Sequence, residues 1–146
     1  MSEIDIVTFR LDKRLFGLEA RRVQDVFHPR GLTGVPLAAS EIIGVLNLRG
    51  RIVTAVCARK RLGLADRPAG APEPRAIGVE LGGDSYGIVV DSVEGVVKLE
   101  AGDLLPPPDK LSPRWTQVVK GVFRLESELL VMLDEHGLLL AEAAAA

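Results

Sequence analysis

The chain has 146 residues, 47% of them apolar but only 4% aromatic, with a formal net charge of −2. That length suits one domain of ordinary size, no apolar run approaches the ~20 residues of a membrane-spanning helix, and the single cysteine, Cys57, excludes an internal disulfide. The opening Met1 to Asp5 lacks the basic and then apolar pattern of a secretion signal, so a soluble cytoplasmic protein is expected.

Charge is unevenly spread. Residues 1–67 carry 12 Lys and Arg against 7 Asp and Glu, and residues 68–146 carry 6 against 13. The asymmetry is that of a molecule oriented between two partners of opposite charge, with ordinary solvated surface as the alternative. With so few aromatics, Val, Leu and Ile must fill the core, and Val enrichment favours strands.

Ile4 to Leu11 alternates for much of its length and is predicted as a strand, with Asp12-Lys13-Arg14 as turn and Leu15 to Leu18 as the returning strand. Val23 and Val26 follow, and Val35-Pro36 ends this stretch because proline cannot donate to a central ladder. Glu41-Ile42-Ile43 is predicted as one helical turn capped by Ser40. Leu46 to Val53 reads as strand, turn and strand, and Ala58 to Leu64 as a short basic helix closed by Gly63. Asp66 to Pro74, with three prolines, is a surface connection.

Beyond it, Ala76 to Leu81 and Tyr86 to Val90 flank a turn at Gly82-Gly83-Asp84-Ser85. Val96 to Leu99 is a further strand, ended by Leu105 and Pro106 to Pro108. Leu111 to Val119 is predicted as a helix capped by Ser112 with Pro113 in its first turn. Phe123 to Leu133 is again strand, turn and strand, and Asp134 to Ala146 an alanine-rich helix.

This order repeats itself. Phe16-Gly17-Leu18, followed by Val23 and Val26, recurs as Tyr86-Gly87-Ile88, followed by Val93 and Val96. Val35-Pro36 recurs as Leu105-Pro106, and Gly44 to Leu48 as Gly121 to Leu125, which sets Arg49-Gly50 against Glu126-Ser127. The repeats, about 4–64 and 75–140, are too small to bury a stable core singly and are expected to share one. The fold class is all-β with short helices, a barrel or a sandwich.

Residues for covalent or metal chemistry are sparse. There is no glycine-rich phosphate loop, and His28 and His136 stand too far apart to suggest a metal site. Asp91 and Asp134 end apolar strands and read as turn acceptors, or alternatively as a carboxylate pair. Cys57 reads as a buried, inert thiol, with a redox-sensing thiol as the alternative because Arg59-Lys60-Arg61 follows it. That basic run has no aromatic platform beside it, so nucleic-acid binding is not expected. Neither a cofactor nor a catalytic residue is predicted.

Gly44 to Val53, with Val35-Pro36 before it and Arg61-Leu62-Gly63 after it, resembles the CheW family of bacterial chemotaxis. Gly87 to Val93, and Gly121-Val122 leading to Leu133-Asp134, agree with that family's later signatures, so the resemblance runs from about Ile6 to Leu140. It implies a non-enzymatic adaptor made of two pseudo-repeated five-stranded SH3-like barrels packed as one CheW-like domain over residues 1–146. Such an adaptor couples chemoreceptor signalling tips to a CheA-type histidine kinase, in ring assemblies with the kinase's related regulatory domain. It lies in the cytoplasm beside membrane receptor arrays without inserting into the membrane.

The resemblance assigns receptor contact to Val23, Asp25 and Val96, with Val26 beside them, in a groove between the barrels. Their bland alternative is core packing. It assigns the coupling signature to Gly44, Asn47, Arg49 and Gly50, with Gly44 as the steric requirement of a turn. For Arg49 the alternative is a structural ion pair. The chain departs from the family at Thr54, where proline is common, at Cys57, where aspartate is common, and near Ala39, where another proline is usual. These departures touch the kinase-facing surface. They leave open a competitor that binds the kinase without the receptor, or an adaptor of a divergent, non-chemotaxis array.

Overall fold

The computed structural model describes residues 2–139. Among them are the strands β1 (Glu3–Leu11), β2 (Arg14–Glu19), β3 (Val23–Phe27), β4 (Ile42–Leu48), β5 (Arg51–Cys57), β6 (Arg75–Leu81), β7 (Asp84–Val90), β8 (Ser92–Glu100), β9 (Val119–Arg124) and β10 (Leu129–Leu133). Two one-turn helices, α1 (Ala58–Arg61) and α2 (Pro113–Thr116), complete the labelled elements. The two expected five-stranded units are present as sheets ordered β8-β1-β2-β10-β9 and β3-β6-β7-β5-β4.

Repeat boundaries and sheet boundaries do not coincide. Each sheet takes a hairpin from one repeat and three strands from the other. The registers are nevertheless duplicated. Phe9 opposite Phe16 recurs as Val79 opposite Tyr86, and Val93 opposite Phe9 recurs as Val23 opposite Val79. The parallel contact of Val131 with Phe16 recurs as Thr54 with Tyr86, and Val122 opposite Val131 as Val45 opposite Thr54. The halves are thus intertwined with equivalent pairings, and neither contains a complete sheet of its own.

Three hairpins close with two-residue loops in which both residues have positive φ: Asp12 (52°) and Lys13 (70°), Arg49 (53°) and Gly50 (82°), Gly82 (60°) and Gly83 (85°). This turn matches the twist of the strands it joins. Arg14, Asp84 and Ser85, expected in turns, are strand residues.

The largest core cluster lies between the sheets. Phe9, Phe16 and Leu18 from one sheet pack with Ile77, Ile88 and Val56 from the other. Each sheet has a second, smaller cluster on its opposite face: Ile6, Leu15, Phe123, Leu130 and Met132 in the first, and Ala55, Ala76 and Val89 in the second. The seam expected to offer a groove is therefore filled along its centre, and only its margins are open.

Several local expectations change. Glu41 to Ile43 is no helical turn, because Ile42 already pairs with Val56 and the Ser40 hydroxyl bonds the Glu41 carboxylate at 2.9 Å. The helix expected over Leu111 to Val119 is only α2. Its Ser112 makes no side-chain cap, and Val119 already begins β9. Residues 135–139 are helical, and the rest of the predicted C-terminal helix lies outside the described residues. Arg59 and Arg61 are each 6% exposed, so the basic run is no surface patch.

Candidate functional site

The receptor-contact candidates sit on the edge strands β3 and β8. A β-bulge interrupts the β3 register between Val23 and Asp25. Alternation is thereby reset, so Val23 and Val26 share a face although three positions apart. They lie opposite Val79 and Ile77, both members of the inter-sheet cluster. On β8 the same bulge lets Val93 and Val96 share a face opposite Phe9 and Val7.

The two edge strands thus present equivalent pairs to the seam. Val23 and Val93 are half-buried against the shared cluster, which is the core reading of Val23. Val26 and Val96 are 40% and 63% exposed, too open for core residues, and they flank the seam from opposite sheets.

Asp25 departs from this set. It pairs with Gly78, so its side chain takes the other face of the sheet, that of the Ala55, Ala76 and Val89 cluster, away from Val23, Val26 and the seam. One carboxylate oxygen is fully buried without a partner, and it lies where a Cβ on residue 78 would stand. Glycine at 78 is what admits the Asp25 carboxylate.

The signature residues occupy the β4–β5 hairpin, and three of them, Asn47, Arg49 and Gly50, surround its tip. Asn47, Arg49 and Gly50 are exposed. The Asn47 Oδ1 accepts the Gly50 amide at 2.8 Å, closing the turn. Arg49 holds its left-handed conformation, unusual for a residue with a Cβ. Among the described residues its guanidinium has no ion-pair partner, so the structural alternative finds no support. Ile52, 61% exposed, stands opposite Asn47 beside this tip.

Gly44 is not a turn residue. It lies inside β4, where Thr33 and Val45 exchange backbone hydrogen bonds of 2.8 and 2.9 Å. A Cβ at 44 would stand 2.7 Å from the Thr33 carbonyl oxygen. The glycine permits a close crossing of chain segments, repeated at Gly121 beneath Leu105.

Ion pairs bind the halves together. Arg10 grips Glu94 at 2.9 Å and Glu128 at 2.7 Å, Arg22 holds Glu135 at 3.1 Å, and Arg59 holds Asp91 at 2.6 Å. Much of the charge asymmetry is therefore used internally rather than offered to two partners. Burial pushes the Asp91 carboxyl up, but the Arg59 guanidinium and the Asp12 amide outweigh it and hold its pKa below the ordinary 3.8. Asp134 accepts the His136 amide and makes no carboxylate pair with Asp91 among the hydrogen bonds of the described residues.

Cys57 is half-buried rather than buried, and it lines a cavity of about 360 Å³ with Leu32, Ile43, Val89 and Arg59. Among the described residues no cluster of His, Cys, Asp or Glu suits a metal ion, and no helix is long and apolar enough to cross a membrane.

Comparison with known proteins agrees with this architecture. The family model for the CheW-like domain matches residues 5–143. The chain is 24% identical to chemotaxis protein CheW of Treponema pallidum, over 93% of this chain and 82% of that protein. It is 28% identical to chemotaxis protein CheW of Klebsiella aerogenes, over 94% and 82%. The crystal structure of the scaffolding protein TtCheW from Thermoanaerobacter tengcongensis superimposes with a TM-score of 0.81 at 28% identity, covering 91% of this chain and 90% of that one.

Proposed function

Because the chain belongs to the CheW-like domain family, we propose that it is a non-enzymatic adaptor coupling chemoreceptor signalling tips to a CheA-type histidine kinase. The observation that carries this reading is the pair Val26 and Val96, exposed at equivalent places on the two edge strands that border the seam. An amphipathic receptor helix docks through spaced apolar anchors, and two valines on either side of one seam supply them. Val23 forms the half-buried floor beside Val26. Asp25, turned to the face away from the seam, supports β3 rather than touching the receptor. Arg49 and its turn supply a polar contact at the far end of the second sheet. Association with the kinase's related regulatory domain into rings, at a membrane receptor array in the cytoplasm, follows from the same reading.

Thr54 and Cys57 lie within β5, and Cys57 lines the 360 Å³ cavity. The reading is tested by mixing the purified protein, a CheA-type kinase and a receptor signalling-tip fragment, and following kinase autophosphorylation. Activation that needs all three components is the expected result. Binding to the kinase with receptor-independent inhibition would make the chain a competitor instead, and binding to neither would reject the adaptor reading.

A further inference from the structure

The cavity of about 360 Å³ lies at the Cys57 end of β5, the end away from the Arg49-Gly50 turn. Its apolar lining comes from Ile43 and Val89 on the strands, from Pro29 and Leu32 in the β3–β4 loop, and from Pro74 just before β6. The fold does not itself require an apolar lining there. Under the repeat, Ile43, Cys57 and Val89 correspond to Lys120, Asp134 and Glu19, and Lys120 and Glu19 form an ion pair at 3.4 Å.

The charged lining consists of Arg59, Asp91, Arg67 and Asp66. Arg59 and Asp91 satisfy each other through hydrogen bonds of 2.8 and 2.6 Å. Asp66 is exposed to solvent. Arg67 is half-buried and also lines a neighbouring cavity of about 210 Å³. It acts on Asp91 only through space, donates to the Pro72 carbonyl, and has no ion-pair partner among the described residues. Arg51, Arg75 and Arg124 also lack such a partner, but they are exposed and line neither cavity.

We infer that this cavity binds a medium-chain carboxylate, its hydrocarbon chain along Leu32, Ile43 and Val89 and its head group on Arg67. Small-molecule sites are concave, mostly apolar and orient their ligand through few polar groups. At about 30 Å³ for each water-sized group, the volume holds roughly a dozen non-hydrogen atoms, and octanoate falls within that size. A planar guanidinium suits a carboxylate, whereas an ammonium ligand would find only the exposed Asp66, because Asp91 is already engaged. The cavity includes neither Val26, Val96 nor the Arg49 turn, so the inference stands independently of the adaptor reading.

The test titrates sodium octanoate into the full chain by calorimetry, with amide chemical shifts to locate it and thermal melts to report the fold. The expected result is one bound equivalent, shift changes confined to the cavity lining, and a melting temperature that rises with octanoate. Octanol keeps the chain without the charge, and acetate the charge without the chain. Each is expected to bind the unmodified protein at least tenfold more weakly than octanoate. Arg67→Gln can still donate to the Pro72 carbonyl, so it is expected to melt as the unmodified protein does while binding octanoate at least tenfold more weakly. No binding at millimolar octanoate, binding of several equivalents spread over the surface, or equal binding of octanol and octanoate would overturn the inference. Undiminished binding by Arg67→Gln would remove Arg67 from the site and overturn it as well. The octanol and acetate comparisons use the unmodified protein and decide the matter even if Arg67→Gln melts lower.

Discussion

The two sheets share one register but differ wherever their ends meet solvent. Under the repeat, the cavity residues Ile43, Cys57 and Val89 of the second sheet correspond to Lys120, Asp134 and Glu19 of the first, where Lys120 and Glu19 form an ion pair at 3.4 Å. The junction after the parallel strands is clamped by Arg59 and Asp91 in one sheet, and by Glu135 and Arg22, with the charges reversed, in the other. The hairpin tip is the tight Arg49-Gly50 turn in one, but a longer loop closed by Leu125 and Glu128 in the other. Ladders and chain crossings are constrained by packing and stay duplicated. Ends are free to diverge, so they carry what distinguishes the two halves.

If the crossings are equivalent, breaking either should have the largest effect. Gly44→Ala sets a Cβ 2.7 Å from the Thr33 carbonyl, and Gly121→Ala sets one against Leu105. Each is expected to cost roughly 3 kcal/mol in urea unfolding, because backbone on the far side cannot move aside as a flexible side chain can. Tolerance of one substitution and not the other would show that the crossings are alike in geometry but not in stiffness.

The reversed clamps should be unequal. Asp91→Ala leaves the buried Arg59 guanidinium with only the exposed Asp12 carboxylate at 4.0 Å and the Ala65 carbonyl at 2.8 Å, and it cannot shed its proton, so about 2 kcal/mol is expected to be lost. Arg22→Ala removes a side chain 46% exposed, whose ion pair with Glu135 solvent already weakens, so about 1 kcal/mol is expected. Acid should expose the same difference. With the folded pKa of Asp91 held below 3.8, its contribution is complete above that value and is lost as pH falls through the folded pKa. In Asp91→Asn the acid limb of the stability profile below about pH 4 should be shallower, measured by denaturant melts across pH.

Much of this architecture was legible in the residues. The repeat, the hairpins with Gly82-Gly83 and Arg49-Gly50, and the Asp66 to Pro74 connection all follow from local chemistry. The exchange of hairpins between sheets was not, because alternation records which face a residue takes and not which strand lies beside it. The face taken by Asp25 was not legible for a related reason. A bulge between Val23 and Asp25 shifts the alternation by one residue, and nothing in Val23 to Phe27 announces it. The burial of Arg59 and Arg61 was not legible in their basic run because the carboxylate and carbonyls that receive them are distant in sequence: Asp91 for Arg59, and Gln117 and Gly137 for Arg61.

Arg49→Gly sharpens the comparison of hairpin tips in the opposite sense, since relief of the left-handed strain is expected to raise stability by about 1 kcal/mol. A fall in stability would mean that the arginine has an internal role after all.

The smallest effect on stability is expected at the margins of the seam. Val26→Ser and Val96→Ser alter residues already 40% and 63% exposed, so each should change unfolding free energy by no more than about 0.5 kcal/mol. Their value lies in coupling. If one amphipathic helix spans the seam, both variants should weaken receptor-dependent activation, and the double variant should lose more than either alone. If only Val26→Ser matters, docking belongs to the second sheet, and the exposure of Val96 is a relic of duplication without a partner. Equal stability with unequal coupling would place the functional divergence of the halves on the face where their geometry is most alike.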